Sequence, residues 1–204
     1  MNMKNHWETV YKTKNPSQVS WTQKIPQTSL SFIKSLNLSK NAPIVDIGGG
    51  DGKLVDFLLD EGFTDISVLD ISGKALKRAK QRLGKKSENI TWIESDITEF
   101  KPERSYDLWH DRAAFHFLTD RKKIDKYLET VRKAVDGYLI IGAFSENGPK
   151  KCSGLDIVQY SEETLPQLLK NGFKKLKCIT VDHTTPFDTT QNFVFCSFKK
   201  KANE

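Results

Sequence analysis

Cysteine is scarce. Cys152, Cys178 and Cys196 are odd in number, far apart and without a C-x-x-C pair. They suggest neither a disulfide framework nor a structural zinc site, so reduced thiols and no metal are expected. Glycine and proline are also limited, at 12 and 7 residues, which excludes collagen-like and low-complexity chains. Long apolar runs are missing: the longest, Tyr138 to Phe144, is broken by Gly142 and falls far short of the roughly 20 residues of a membrane-spanning helix. The opening Met1-Asn-Met-Lys-Asn-His-Trp7 lacks the apolar core of a secretory signal. A cytoplasmic protein with no membrane partner is expected.

What remains is the composition of one folded domain: 204 residues, 37% hydrophobic and 28% charged. The net charge of +6 comes from lysines spread along the chain, with small clusters at Lys174, Lys175 and Lys177 and at Lys199 to Lys201. Such scatter reads as solvated surface. Without aromatic-basic interleaving, a helix-turn-helix cue or a repeat, nucleic acid is not an expected partner.

Buried strands are expected at Ile44 to Ile47, Ile66 to Leu69, Ile90 to Glu94, Tyr106 to Trp109 and Tyr138 to Phe144. Helix-period segments separate them, one opening after Ser72 as cap. Alternation with short connections implies parallel strands joined by right-handed crossovers: a doubly wound, Rossmann-like α/β fold. Near the end, Lys174 to Val181 and Asn192 to Phe198 follow one another with only a loop, His183 to Gln191, between them, and should pair antiparallel. The segment 1–40, with Trp7, Tyr11, Trp21 and a helix from Ser29 to Leu36, is expected to be an N-terminal cap on a domain spanning 41–204.

The strongest local signal is Val45-Asp46-Ile47-Gly48-Gly49-Gly50-Asp51-Gly52, a strand running through a glycine turn into a helix. Glycines permit the sharp turn and close approach of a ligand to the backbone, next to the free amides of a helix start. The G-x-G-x-x-G dinucleotide pattern fails, because Lys53 occupies its third glycine position. Two more acids close the next strands: Asp70, before Ile71, is placed to accept from ribose hydroxyls, and Asp96, before Ile97, from an adenine amine. Each alone also reads as a turn or capping residue; three at successive strand ends point to a ligand at that sheet edge.

This series, followed by Asp107-Leu-Trp-His-Asp111 and a final antiparallel pair, resembles the class I S-adenosylmethionine-dependent methyltransferases over nearly the whole chain. The resemblance implies a seven-stranded sheet and S-adenosyl-L-methionine as cofactor. It implies the methionine part at Gly48, Gly49 and Gly50 with Asp46, the ribose at Asp70 and Ile71, the adenine at Asp96 and Ile97, and the methyl group facing His110 to Arg112. His110-Asp-Arg-Ala-Ala-Phe-His-Phe-Leu118 and Gly148-Pro-Lys-Lys-Cys-Ser-Gly-Leu155 look like a prokaryotic branch of the family, and the first stretch is also similar to thiol (thiopurine-type) and lysine methyltransferases. Trp7, Tyr11 and Trp21 resemble the cap that closes over cofactor in the thiol enzymes. No N/D-P-P-Y/F tetrad follows the fourth strand, where Asp111-Arg112-Ala113-Ala114 stands, so DNA base methylation is not expected.

Methyl transfer from a sulfonium is mainly a matter of placement, with a base needed only for a protonated nucleophile. His110, Asp111 and His116 are the candidates for that base; Asp111 alternatively fixes the cofactor's amino group or a substrate amine, and a histidine between Phe115 and Phe117 more often reads as packing. Arg112 reads as an anchor for an anionic substrate or as half of an ion pair, Tyr11 and Cys152 as substrate-side contacts, and Trp21 as part of a lid over the sulfonium or of the core. A small-molecule acceptor, a thiol among the candidates, is favoured because the cap would close the site; protein lysine is the runner-up. A nicotinamide reductase of the short-chain type needs Tyr-x-x-x-Lys, and no tyrosine here has lysine four residues later. A noncatalytic cofactor-binding module is the other rival.

Overall fold

The quartet Ile44–Ile47, apolar but for Asp46, is buried along its whole length, as expected for a strand flanked on both sides and covered on both faces. Around it, a computed structural model describes residues 2–202. The chain runs through α1 (Met3–Thr13), α2 (Gln27–Ser35), β1 (Ile44–Ile47), α3 (Leu54–Asp60), β2 (Ile66–Asp70), α4 (Gly73–Leu83), β3 (Ile90–Glu94) and β4 (Tyr106–Arg112). It continues through α5 (Arg121–Ala134), β5 (Val135–Phe144), the short β6 (Lys151–Cys152) and β7 (Leu155–Asp156), α6 (Thr164–Leu169), β8 (Phe173–Thr184) and β9 (Thr190–Lys200).

Seven strands form one sheet in the order β3-β2-β1-β4-β5-β9-β8, with β1 to β5 parallel and β9 antiparallel to both its neighbours. The order reverses between β1 and β4. Loops leaving those two strands diverge there and open a crevice at the carboxyl edge. Each face has its own core: Trp109, Tyr127, Val131, Ile141 and Leu165 pack on the α5 and α6 side, while Phe32, Leu58, Leu108, Ile140 and Phe195 pack on the α2 and α3 side. Ser72 caps α4 as its sequence position suggests, its Oγ accepting from the Ala75 amide at 3.2 Å.

Two details of the C-terminal strands differ from expectation. Cys178 and Cys196 are not free thiols: the β8–β9 register sets them directly opposite each other, and they are joined by a disulfide. Counting cysteines along the chain does not reveal a cross-strand register. The loop between these strands is also shorter than His183 to Gln191, because the Thr185 hydroxyl accepts from the Phe187 and Thr189 amides and tightens the turn. After β5, Cys152-Ser153-Gly154 forms the turn of a two-stranded hairpin, with Ser153 at φ 52° and Gly154 at φ 79°. Two left-handed residues in a row are what such a tight hairpin turn requires.

The crossing from β4 to α5 is fixed by one buried carboxylate. Asp111 Oδ1 accepts from the Ala114 and Phe115 amides at 3.1 and 2.9 Å, and Oδ2 accepts from the Tyr127 hydroxyl at 2.9 Å. Tyr127 in turn accepts from Trp109 Nε1 at 3.1 Å. Replacing Asp111 with alanine strips the acceptor from three buried donors, each costing about 1–3 kcal/mol when left unpaired. We expect Asp111→Ala to lose about 3 kcal/mol or more in urea unfolding; a loss below 1 kcal/mol would contradict this network.

Candidate active site

Above the crevice lies a cavity of about 470 Å³, within the usual range for small-molecule sites. Its floor is the glycine turn. Gly48 and Gly50 have φ of 65° and 49°, backbone that favours glycine. Space demands the same: a Cβ on Gly48 would stand 2.7 Å from that of Ala114, and one on Gly50 would stand 2.8 Å from the Tyr11 hydroxyl and 3.1 Å from Asp70 Oδ2. Gly48, Gly49 and Gly52 line the cavity, while Gly50 lies beneath Tyr11. Two arginines of α4 hold the turn from behind, Arg82 donating to the Asp51 and Gly52 carbonyls and Arg78 to the Asp51 carboxylate.

The three strand-end acids all reach this cavity. Asp70 is buried, accepts from the Ser72 amide at 2.8 Å and from the Gly50 amide, and is pushed up to about 7, chiefly by burial. The nearby charges of Asp51 and Asp46 add to that rise. Asp96 Oδ1 accepts from both the amide and the hydroxyl of Thr98 at 2.8 Å, an Asx turn that fixes its position. Ile71 and Ile97 supply apolar wall beside the two acids. Asp46 is bound across β1 and β4 to His110: Oδ1 lies 2.7 Å from Nδ1, and the other ring nitrogen lies 2.9 Å from the Ser29 hydroxyl of α2. His110 therefore lines the cavity with both nitrogens already engaged.

The roof is aromatic. Trp7 meets Trp21 edge-on at 5.6 Å and Phe117 at 5.2 Å between ring centroids, and Tyr11 completes the cluster. Glu8 fastens α1 to the start of α4, accepting from the Ser72 hydroxyl and the Lys74 amide and pairing with Lys74 Nζ at 2.6 Å. On the far wall stand Arg112, Leu155, Asp156 and Cys152, whose thiol burial pushes up to about 12 and so keeps protonated.

Asp111 and His116, expected as acid–base candidates, do not line the cavity. Strand alternation explains Asp111: it shares the α5 face with Trp109, whereas His110 and Arg112 share the opposite face. Burial pushes its carboxyl up to about 6, and all its hydrogen bonds are internal. His116 is buried, accepts from the Phe144 amide through Nδ1, and is driven down to about 3 by burial and then by the Arg112 charge. It is a neutral packing residue. Sequence reading missed Asp51, Ser29 and Glu8; only Asp51, adjoining the glycines, carried any local signal.

The chain matches the profile of a family described as "Methyltransferase domain" over residues 44–137. It is 30% identical over 105 residues to malonyl-[acyl-carrier protein] O-methyltransferase 2 of Ilyobacter polytropus, a match spanning 51% of this chain and 40% of that protein. To EEF1A lysine methyltransferase 2 of Danio rerio it is 23% identical over 192 residues, 85% of this chain and 76% of that protein. In structure it is similar to the N-methyltransferase NodS of Bradyrhizobium japonicum, crystallised with S-adenosyl-l-homocysteine, with TM-score 0.74 and 18% identity over 97% of this chain and 100% of that one. Residues 44–137 carry a methyltransferase domain, and glycine turn, strand-end acids and sheet order together give the chain the Rossmann-like fold of the S-adenosylmethionine-dependent methyltransferases.

Proposed function

We propose that the protein moves a methyl group from S-adenosylmethionine to a small-molecule acceptor held inside the cavity. The observation that carries this reading is the aromatic roof: Trp7, Trp21 and Phe117 pack together over part of the crevice and narrow it to a half-open cavity of small-molecule size. In this reading Asp70 accepts from the ribose hydroxyls, Asp96 takes the adenine amine with Ile71 and Ile97 against the ring, and the turn from Gly48 to Gly50 with Asp46 and His110 takes the methionine part. S-adenosylmethionine, when bound, supplies a methyl group on a sulfonium sulfur that leaves as a neutral thioether. The residues of this chain orient the partners and exclude water. Trp21 and Tyr11 present ring faces to a cation, and the acids below provide opposite charge.

With Asp111 and His116 outside the cavity, neither serves as the base, which favours an acceptor that arrives already deprotonated or as a neutral amine. A protein lysine acceptor is the second reading, supported by the similarity to the Danio rerio enzyme along 85% of the chain.

Three outcomes are expected. Asp70→Ala should weaken S-adenosylhomocysteine binding by about 2 to 4 kcal/mol, roughly thirty- to several-hundredfold in Kd by calorimetry, with the protein still folded. Because the Asp70 carboxyl lies near pH 7 in the free protein and the hydroxyls donate more strongly to its charged form, binding should tighten as pH rises through 7. At pH 6 it should be weaker than at pH 8 by up to about tenfold, and Asp70→Asn should flatten the profile. Labelled methyl offered with a cell extract should appear in the small-molecule fraction; label confined to protein would replace this reading with the lysine one.

A further inference from the structure

On the far wall of the cavity one cation has no partner. Arg112 ends β4 on the same face as His110, its guanidinium lies over the Phe193 ring at 4.9 Å, and Nη1 donates to the Trp21 carbonyl at 3.1 Å. Nε and Nη2 are shut from solvent and bonded to nothing in the protein. These two nitrogens share the side-on edge of the guanidinium, where their N–H bonds run parallel and match the two oxygens of a carboxylate. The ring beneath and the carbonyl at Nη1 fix that edge in place.

The surroundings supply no buried counter-charge: Asp156 on the same wall is exposed and paired with Lys151 at 3.1 Å. Among the described residues Arg112 enters no ion pair; the nearest acid to act on it, Asp46, is bonded to His110. His116 is held neutral, and Cys152 is a protonated thiol. The remaining neighbour, His183, has its Nε2 2.7 Å from the Ser20 carbonyl. A buried cation left this way is costly unless a ligand completes it. From β4 the guanidinium reaches past β5 to β9, the strand that carries Phe193, on the side of β4 away from β1.

We propose that Arg112 anchors the methyl acceptor through a carboxylate, bound by two parallel hydrogen bonds from Nε and Nη2. The acceptor is then a small carboxylic acid whose apolar or aromatic body rests against Trp7, Phe117 and Leu155, which line the same cavity. This rests on the small-molecule reading above.

The test follows the arginine Nε–H signals by ¹⁵N NMR in protein saturated with S-adenosylhomocysteine, titrated with sodium acetate at constant ionic strength. One signal, absent from both Arg112→Lys and Arg112→Gln, should move saturably with acetate and not with acetamide. Both variants should keep their affinity for S-adenosylhomocysteine within threefold of the unchanged protein. Three results would overturn the proposal: no response to acetate; a stronger response to inorganic phosphate than to acetate; or a signal that S-adenosylhomocysteine itself shifts, with a tenfold or greater loss of its affinity in the variants. The last would assign the guanidinium to the cofactor's own carboxylate. No methyl transfer is involved, so a silent acetate titration removes the anchor and leaves the small-molecule reading, whereas label on protein removes that reading and the acceptor anchor with it.

Discussion

The contact on which the rest depends is the buried pair between Asp46 of β1 and His110 of β4, continued through the second ring nitrogen to Ser29 of α2. It joins the two strands at the point where the sheet order reverses and pins a helix of the N-terminal segment over them. An acid and an imidazole removed from water are tolerated only when each satisfies the other. Because the pair sits at the root of the glycine turn, it also sets where that turn begins.

From that root the site is assembled by electrostatics as much as by shape. Asp46, Asp51 and Asp70 crowd one end of the cavity, and their mutual repulsion adds to burial in holding Asp70 near neutrality. Arg78 and Arg82 relieve part of the strain from outside, gripping the turn through its carbonyls and the Asp51 carboxylate. The other end holds a guanidinium with an unbonded edge, the acid on its wall, Asp156, being exposed and paired with Lys151. A cavity with acids at one end and a buried guanidinium at the other sorts oppositely charged groups of its occupants toward opposite ends.

The N-terminal segment converts this crevice into a chamber. Glu8 and Arg78 tie α1 and the chain after it to α4, the latter through the Lys14 carbonyl, and the Trp7, Trp21 and Phe117 rings meet above the sheet edge. Phe117 comes from the turn that Asp111 holds, so the residue expected to handle protons instead supports the roof.

Much of this was legible in the chain alone, because it depends on local chemistry. Hydrophobic runs marked β1 and β3 to the residue, Ser72 announced the α4 cap, the glycine turn declared its own backbone, and Asp70 and Asp96 could be placed at strand ends by counting. Even the separation of Asp111 from His110 was implicit in strand alternation, since neighbouring residues face opposite sides of a sheet. Register and encounter were not legible. Only strand pairing brings Cys178 opposite Cys196, only packing leaves His116 neutral in the core, and only the meeting of β4, β9 and the Trp21 carbonyl isolates one edge of Arg112. Such contacts join residues distant in sequence, and their energies depend on burial, a property no segment has until the whole chain has folded around it.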